Sequence, residues 1–459
     1  MPGTMTAETS DSTSGIMGHP RGLVNLFFTE MWERFSYYGM RAILILYMVA
    51  AVSDGGLGMD MKTAGQIYGL YTMSVYLTSL PGGFLADRFL GQRKAVLIGG
   101  IIIACGNILT AMPSKELFFL GMLTIVLGTG LLKPNISSML GMLYKEGDPR
   151  RDAGFSIFYM GINIGAFLSP LVCGFLAQSA EFKSFLVSMH MPATSSWHWG
   201  FGAPAVGMIL GLVHYVLQGR LLGDAGLKPH HKAASSAQTA QEALSSDEMK
   251  RLGAIGVLFF FNILFWAVYE QGGTSLNVFA DRCTRCEIFG WQFPSSWMQS
   301  FQAIYVIIFA PVFSYIWLKL GAKQPTSPAK FAIGLFLLGA GIVLMVPAAM
   351  LAAHGKVSPL WLVVVYLLEV MGELCLSPVG LSTVTKLAPA RFVGLTMGAW
   401  FIGTALGNYC AGSLGGLFND KDMQSMTVLF GSMAAAAFFG SILLAGLVPF
   451  VKKLMGKMQ

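Results

Sequence analysis

The sequence predicts an all-α polytopic membrane protein, and three observations support that fold class. Hydrophobic residues make up 54% of the 459 residues and charged residues only 12%, whereas about 25% of a typical soluble domain is charged. The apolar residues form blocks long enough for the roughly 20 residues that a helix needs to cross a bilayer. The blocks also lack a charged face, since the stretch 95–109 has no charged residue. A soluble helical bundle is excluded, because its helices would be amphipathic.

We predict twelve transmembrane helices in two six-helix bundles. A polar stretch, 1–21, should remain as a cytoplasmic tail, because the first block is too long for a signal-peptide core. The amino-terminal bundle covers 22–219, a polar cytoplasmic linker covers 220–248, and the carboxy-terminal bundle covers 249–451. A basic tail, 452–459, follows on the cytoplasmic side. The predicted spans are 22–51, 62–85, 94–112, 116–143, 152–176, 199–219, 249–271, 295–320, 328–353, 358–385, 391–416 and 426–451.

Basic residues determine the predicted orientation. With both ends of the chain in the cytoplasm, cytoplasmic segments hold 20 of the 30 Lys and Arg residues and the opposite side holds 7. The others, Arg34, Arg41 and Lys133, lie inside spans. Cytoplasmic loops of membrane proteins are rich in Lys and Arg. The net charge of +7 therefore reflects topology and gives no reason to expect nucleic-acid binding.

Two short repeats suggest that the halves are related. A turn with Leu-Gly between basic residues follows the second span, at 86–93, and recurs after the eighth span, at 317–323. The pair 133–134, Lys-Pro in the fourth span, is echoed by the pair 377–378, Ser-Pro in the tenth. Two six-helix halves around a central site are the architecture of the major facilitator fold, which is the fold we predict.

The first span concentrates ionisable and phenolic side chains on one side. At about 100° per residue they fall within an arc of about 140°. The residues are Glu30, Glu33, Arg34, Tyr37, Tyr38 and Arg41. Ionisable groups inside a membrane are costly unless they are paired or hydrated, so each indicates a functional site.

Four more charges lie in later spans. They are Lys133 in the fourth, Glu270 in the seventh, and Glu369 and Glu373 on one face of the tenth. Five acids thus face three bases, which leaves two carboxylates without a cation. Because loss of water favours the neutral form of a carboxyl group, we expect the surplus acids to bind protons. Arginine keeps its charge and can anchor an anion permanently.

Polar and aromatic residues at helical spacing complete a predicted cavity. For the aromatic residues alone, helix packing is the simpler interpretation, but amide and carboxyl groups on the same faces favour a cavity. The candidates at this spacing are Phe155, Tyr159 and Asn163 on the fifth span and Asn262, Trp266 and Glu270 on the seventh. Tyr76, Gln302 and Trp400 are further candidates that periodicity alone cannot place. The cavity offers cations from one half and carboxylates from the other. It suits a zwitterion such as a small peptide, with its carboxylate toward Arg34 and Lys133 and its amino group toward Glu373.

Three motifs are shared with a known family of transporters. The stretch 30–39 is similar to ExxERFxYYG, 155–165 to FYxxINxG, and 372–378 to GELxxSP. The pair 87–88, Asp-Arg, and the triplet 133–135, Lys-Pro-Asn, also match. With these motifs the chain resembles the proton-dependent oligopeptide transporter family of the major facilitator superfamily.

The resemblance implies a proton-coupled symporter that imports di- and tripeptides by alternating access across a bacterial inner membrane. It implies no enzyme activity and no cofactor apart from the coupling protons. From the resemblance and the cavity pattern, the expected peptide-binding residues are Arg34, Tyr37, Tyr38, Tyr76, Lys133, Asn163, Trp266, Gln302, Glu373, Ser377 and Trp400. The expected proton-coupling and gating residues are Glu30, Glu33, Arg41 and Glu270. Expected partners are the peptides, protons and membrane lipid, with no nucleic acid and no obligate protein partner.

The predicted gate joins the first and seventh spans. Arg41 lies about two turns beyond Arg34, and Glu270 lies about 30 Å along its helix from the cytoplasmic end. We expect deprotonated Glu270 to pair with Arg41 across the outer mouth and to close it.

Several features differ from the family pattern. The linker is too short for the two extra helices of many bacterial members. No histidine occurs between His19 and His190, so coupling would rest on carboxylates. Gln302 stands where asparagine is expected, which leaves peptide selectivity open, and Glu369 is a candidate from the residues alone.

Other functions have less support in the sequence. Another small anionic or zwitterionic solute is the main alternative substrate. A membrane enzyme would need a nucleophile–base pair or a metal cluster in the spans, and a receptor or scaffold would not need five buried acids. Cys283 and Cys286 form a CxxC in an outer loop. A metal site would need two more ligands, so a local disulfide or two free thiols is the expected state.

Overall fold

The computed structural model describes residues 18–145, 147–229, 245–389 and 392–456, and this part of the chain is almost entirely helical. The helices are α1 (Gly22–Val49), α2 (Met61–Leu77), α3 (Ser79–Leu85), α4 (Gln92–Thr110), α5 (Lys115–Met142), α6 (Arg151–Gln178), α7 (Ala180–Ser188), α8 (Ser196–Leu217), α9 (Ser246–Tyr269), α10 (Ser275–Cys283), α11 (Ser300–Leu320), α12 (Ser327–Val343), α13 (Met345–Ala352), α14 (Leu360–Leu387), α15 (Val393–Gly415) and α16 (Met423–Met455). A short hairpin pairs β1 (Glu287–Ile288) with β2 (Trp291–Gln292) in antiparallel register.

Nine helical stretches of the described residues are long and apolar enough to cross a membrane, by length and composition. They are Gln92–Thr110, Lys115–Met142, Arg151–Gln178, Ala193–Leu217, Ser246–Cys283, Ser295–Lys323, Ser327–Ala352, Leu360–Leu387 and Met423–Met455. Each coincides with a predicted span. The other three predicted spans correspond to α1, to α2 with α3, and to α15. Of these, α1 carries four charged residues, and α2 has only 17 residues before the break at Thr78.

Capping side chains set where several helices begin. Asp60 Oδ1 accepts a hydrogen bond from the Thr63 amide at 2.9 Å before α2. Ser245 and Glu248 form a reciprocal capping box at the start of α9. The helix therefore begins two residues before the predicted end of the linker, whose residues 230–244 lie outside the described part of the chain.

Helix α16 continues to Met455, four residues beyond the predicted end of the bundle at residue 451. Lys452 and Lys453 therefore lie in its last turn, and Met455 is buried. The predicted amino-terminal tail lies outside the described residues up to residue 17.

The two sequence repeats occupy equivalent structural positions. Gly91 and Gly321 both end a tight turn with a positive φ, of 75° and 49°, a backbone conformation that favours glycine. Pro134 lies inside α5 and Pro378 inside α14. The repeats thus mark the same kind of turn and the same kind of proline-containing helix in each half.

Helices α2 and α15 bring the two halves into close contact. A Cβ atom at Gly65 would lie 2.5 Å from the Gly412 carbonyl oxygen. Only a residue without a side chain allows backbones to approach so closely. The crossing of α2 with α15 is thus one of the contacts that hold the two halves together.

Hydrogen bonds also join the halves at the end of the molecule where α1 terminates. Five side chains of the second half donate to main-chain carbonyls of the first half, and we call this set of bonds the seal. The seal comprises Asn277 to Ala42 at 2.8 Å, Gln299 to Ala42 at 3.2 Å, Ser300 to Phe167 at 2.9 Å, Trp297 to Leu171 at 2.9 Å and Arg282 to Val49 at 3.4 Å. It closes the molecule on this side.

Candidate transport site

A cavity of about 280 Å³ lies between the two halves. Most of the predicted site residues line it. From the first half these are Tyr38, Arg41, Tyr76, Lys133 and Asn163, and from the second half Trp266, Glu270, Gln302, Glu373, Ser377 and Trp400. The sequence therefore predicted a set of side chains that the fold does bring together.

The cavity is closed at one end and continues at the other. A second space of about 910 Å³ shares Tyr159, Glu373, Ser377 and Leu381 with it and reaches Lys386 near the end of α14. The seal lies at the opposite end. Access to the cavity is therefore from the side where α14 and α16 end.

A buried ion cluster occupies the middle of α1. Arg34 Nε hydrogen-bonds the Glu33 carboxylate, and it lies 3.2 Å from Glu30 Oε1. Arg34 and the two acids are each at most 3% exposed. One guanidinium thus balances two carboxylates, and none of the three side chains lines the cavity.

Tyr37 lies between the two arginines of α1 rather than on the cavity wall. The Arg34 guanidinium is 5.2 Å from the centroid of the Tyr37 ring, and that of Arg41 is 6.0 Å away. A ring face stabilises a cation at such distances. Arg34 and Tyr37 were expected to bind the peptide, but in this structure neither reaches the cavity.

Arg41 and Glu270 form an ion pair between α1 and the seventh span. Arg41 Nε also donates to the hydroxyl of Tyr68, which is fully buried. The expected meeting of the two side chains is thus present. The pair lies at the end of the cavity nearest the seal.

Glu270 lies where its helix breaks. Helix α9 ends at Tyr269, a 3₁₀ turn covers Glu270–Gly273, and α10 follows from Ser275 to Cys283. The Gln271 side-chain amide donates to the Ala411 carbonyl at 3.0 Å and so anchors the break. The end of α9 lies within two residues of the predicted end of this span at residue 271. The consecutive glycines 272 and 273 lie in the turn that separates the two helices.

Lys133 and Glu373 face the cavity from different halves without meeting each other. Lys133 Nζ lies 4.0 Å from the centroid of the Tyr76 ring, and among the described residues Lys133 makes no salt bridge. Glu373 Oε2 accepts a hydrogen bond from the Tyr269 hydroxyl at 2.5 Å. The cavity therefore presents a cation on one wall and a carboxyl group on the other.

Amide and indole groups are held by local hydrogen bonds. Asn163 donates to the Tyr159 carbonyl at 2.9 Å. Trp266 Nε1 donates to Asn262 Oδ1 at 3.0 Å, and Asn262 Nδ2 donates to Thr404 Oγ1 at 3.4 Å. These bonds fix the orientation of side chains that line the cavity.

Sequence reasoning missed three side chains that support the site. Tyr68 holds Arg41, Tyr269 holds Glu373, and Thr404 holds Asn262. Tyr269 directly precedes Glu270 in the sequence, which was an available signal. Tyr68 and Thr404 gave none, because their partners come from distant helices.

Cys283, the last residue of α10, and Cys286, just beyond it, are free thiols in the structure. Burial raises the pKa of the Cys286 thiol to about 12. Within the described part of the chain, no group of three or more His, Cys, Asp and Glu residues could hold a metal ion. Of the two expected states, the structure has the free thiols.

Comparison with known proteins identifies the family. The sequence profile of the POT family matches residues 93–230 and 225–433, most of the chain. The chain belongs to the POT family. POT proteins are transporters and not enzymes, and with its long apolar helices this chain is an integral, multi-pass membrane protein.

The relatives agree with this assignment over nearly their whole length. The chain is 42% identical to the uncharacterized transporter YclF of Bacillus subtilis, covering 96% of each chain. It is 38% identical to the peptide transporter YePEPT of Yersinia enterocolitica, covering 98% of this chain and 99% of that one. A crystal structure of a mutant peptide transporter POT in complex with alafosfalin has a TM-score of 0.87 at 40% identity, covering 96% and 97% of the two chains. The fold is therefore of the major facilitator type found in POT transporters.

Proposed function

We propose that this protein is a proton-coupled symporter that imports di- and tripeptides by alternating access. The observation that carries the proposal is the bipolar cavity, with Lys133 on one wall and Glu373 on the other. A peptide zwitterion has a carboxylate and an ammonium group at separate ends. Charge-assisted hydrogen bonds to both ends would position it between the halves.

The remaining cavity side chains would hold the peptide backbone. The phenols Tyr38 and Tyr76 and the amide Asn163 line the first half, and Ser377 lies one turn beyond Glu373. Trp266, Gln302 and Trp400 would enclose the peptide side chains. Arg34 would assist Lys133 only after leaving its two carboxylates, so we assign Arg34 to a different state of the cycle.

Proton coupling is proposed at Glu270, with Glu30 and Glu33 as the supporting acids of α1. Protonation of Glu270 would remove its charge and release Arg41. The seal at that end of the molecule would then separate more easily. Protons would thus favour opening to the side from which the peptide enters.

The orientation that we propose for the protein in the membrane follows from the distribution of its Lys and Arg residues. Twelve spans would cross a bacterial inner membrane with both ends of the chain in the cytoplasm. The closed end would then be external and the structure inward-open. We expect no cofactor, no nucleic acid and no obligate protein partner.

Peptide uptake into proteoliposomes of the purified protein tests the function. A labelled dipeptide should accumulate above its external concentration only with an inward proton gradient. Uptake that ignores the gradient would disprove symport.

A second candidate is another small zwitterion, because the same bipolar cavity would bind any compact solute with separated charges. Competition against labelled dipeptide uptake separates the two substrates. If a non-peptide zwitterion is transported and peptides do not compete, the alternative holds.

A further inference from the structure

Glu369 is the one buried acid of α14 that the proposed transport cycle does not use. Its side chain is 0% exposed. Oε2 accepts a hydrogen bond from Gln302 Nε2 at 3.3 Å, and Oε1 has no hydrogen-bond partner among the described residues. The carboxyl group is thus bonded on one side only.

No cation faces Glu369 from the helices packed around it, within the described residues. The ionisable groups that interact with it are Tyr366 and Glu373 on α14 and Tyr269 on α9. Helix α11 contributes the neutral amide of Gln302. On the α12 side, a Cβ atom at Gly341 would lie 3.7 Å from Glu369 Cγ. A buried carboxylate without a cation costs several kcal/mol, so Glu369 is neutral in this state.

Gln302 separates Glu369 from both the cavity and the gate. It lines the cavity, and a Cβ atom at Gly272, in the turn that follows Glu270, would lie 2.7 Å from Gln302 Nε2. Gln302 thus packs directly against this turn, and a movement of the turn toward Gln302 would displace its side chain. That displacement would admit water to Glu369.

The half-bonded state of Glu369 argues against a purely structural role. Buried polar groups of a folded protein are generally hydrogen-bonded, and exceptions need an explanation. An apolar residue at this position would avoid the burial cost altogether. A group that gains and loses a proton needs a neutral form in the closed state and access to water in another.

We propose that Glu369 is a second proton-binding site of the transport cycle, covered by Gln302 and exposed when the turn carrying Glu270 moves. The proton would bind from external water to form a neutral acid, and would return to water when the cavity hydrates Gln302 from the cytoplasmic side. Only an O–H bond forms and breaks. The proposal rests on the proposed symport function.

The test compares proton stoichiometry in proteoliposomes of the wild type and Glu369→Gln. Glutamine has the shape of the protonated acid but cannot titrate. The number of protons per peptide, measured from the pH gradient that reverses peptide flux, should fall by one. With a pH gradient of one unit, the limiting accumulation ratio should fall about tenfold. Peptide affinity should change less than about twofold. Glu116→Gln, at an exposed acid of α5, is the control.

An unchanged stoichiometry in Glu369→Gln would overturn the proposal. If this variant does not transport, infrared difference spectra of the purified protein between low and high pH decide instead. A titrating carboxylic-acid band that is present in the wild type and missing in the variant supports the site, and a band that the substitution leaves intact refutes it. Failure of the symport function itself would look different, since wild-type uptake would then ignore the proton gradient.

Discussion

At the scale of single residues, the charges inside the membrane are shared unequally. The sequence count of five acids and three bases correctly predicted two acids without a cation. The count did not predict that Arg34 forms ion pairs with both Glu30 and Glu33. As a result, Lys133 makes no ion pair with an acid of the described residues, and the cavity wall keeps a positive group.

Replacing Glu270 with Gln should abolish uphill peptide accumulation but spare peptide exchange at equal pH on both sides. Glutamine resembles the protonated acid and removes the titrating group, so the gradient no longer acts on the gate. Transport assays in proteoliposomes measure both activities. Glu181→Gln, at an exposed acid of α7, should behave as the wild type. Uphill uptake retained in Glu270→Gln would exclude Glu270 as the coupling site.

Lys133 should meet the carboxylate of the peptide. Blocking that carboxylate as an amide should weaken binding more in the wild type than in Lys133→Ala. We expect a coupling free energy of about 1–3 kcal/mol, the usual scale for hydrogen bonds to charged groups. Binding titrations of both peptides to both proteins give this value. Additive losses would mean that Lys133 contacts another part of the peptide.

The limits of sequence reasoning at this scale follow from side-chain direction. Helical periodicity placed Asn163, Trp266 and Glu373 on the cavity, because each shares a helix face with other polar residues. Periodicity could not show that Tyr37 turns toward two guanidinium groups. The orientation of an aromatic ring depends on its neighbours from other helices, and the sequence alone does not show which helices are neighbours.

At the scale of elements, the break in the seventh span is the main departure from a straight helix. Its turn carries Glu270 and is anchored by Gln271. The span boundaries were otherwise predictable, because long apolar blocks dictate helices in lipid. The break is anchored by the Gln271 side chain, which donates to the Ala411 carbonyl of α15, and no local sequence pattern reveals a partner on a distant helix.

The ends of α1 and α10 should separate when Glu270 is protonated. The Arg282 guanidinium reaches the Val49 carbonyl at 3.4 Å, so cysteines at these two positions lie about one arginine side chain apart and should be bridged by a bifunctional maleimide more readily at high pH than at low pH. The host protein would carry serine at Cys283 and Cys286 to avoid competing thiols. The fraction of crosslinked protein, read on a gel, shows how often the ends of α1 and α10 lie close together.

Two controls complete the crosslinking experiment. In a Glu270→Gln background the closed form loses its ion pair, so crosslinking should be slow at every pH. The single cysteine at Arg282 should give no crosslink within one chain. Thiol reactivity itself rises with pH, so the two backgrounds are compared: an excess of high-pH over low-pH crosslinking that is as large in Glu270→Gln as in the unmutated background would exclude the Arg41–Glu270 gate.

At the scale of the whole molecule, the two halves meet through α2 and α15 as well as through the seal. The repeated Leu-Gly turns and proline-containing helices were visible in the sequence and do lie at equivalent positions. The crossing of α2 with α15 was not predicted. Glycines are abundant along this chain, so their number does not show which ones touch.

Gly412→Leu should lower the midpoint of thermal unfolding in detergent. A side chain at this position would overlap the Gly65 backbone, and overpacking of a close contact typically costs about 1–3 kcal/mol. Gly446→Leu on α16 is the matched control, because a Cβ atom there meets no atom within 4 Å. Equal unfolding midpoints for the two variants would show that α2 and α15 can move apart at this contact without loss of stability.

The seal also distributes evolutionary constraint unevenly between the halves. Its acceptors are main-chain carbonyls, which every residue type supplies, whereas its donors are side chains such as Asn277 and Trp297. Beside the seal, the first half contributes the side chain of Gln178, which donates to Asp281 and Ser295 and accepts from the Ser296 amide. Replacement of a seal donor removes its bond, whereas replacement of a residue that offers only its carbonyl keeps the acceptor. Constraint from hydrogen bonding should therefore fall on more positions in the second half than in the first.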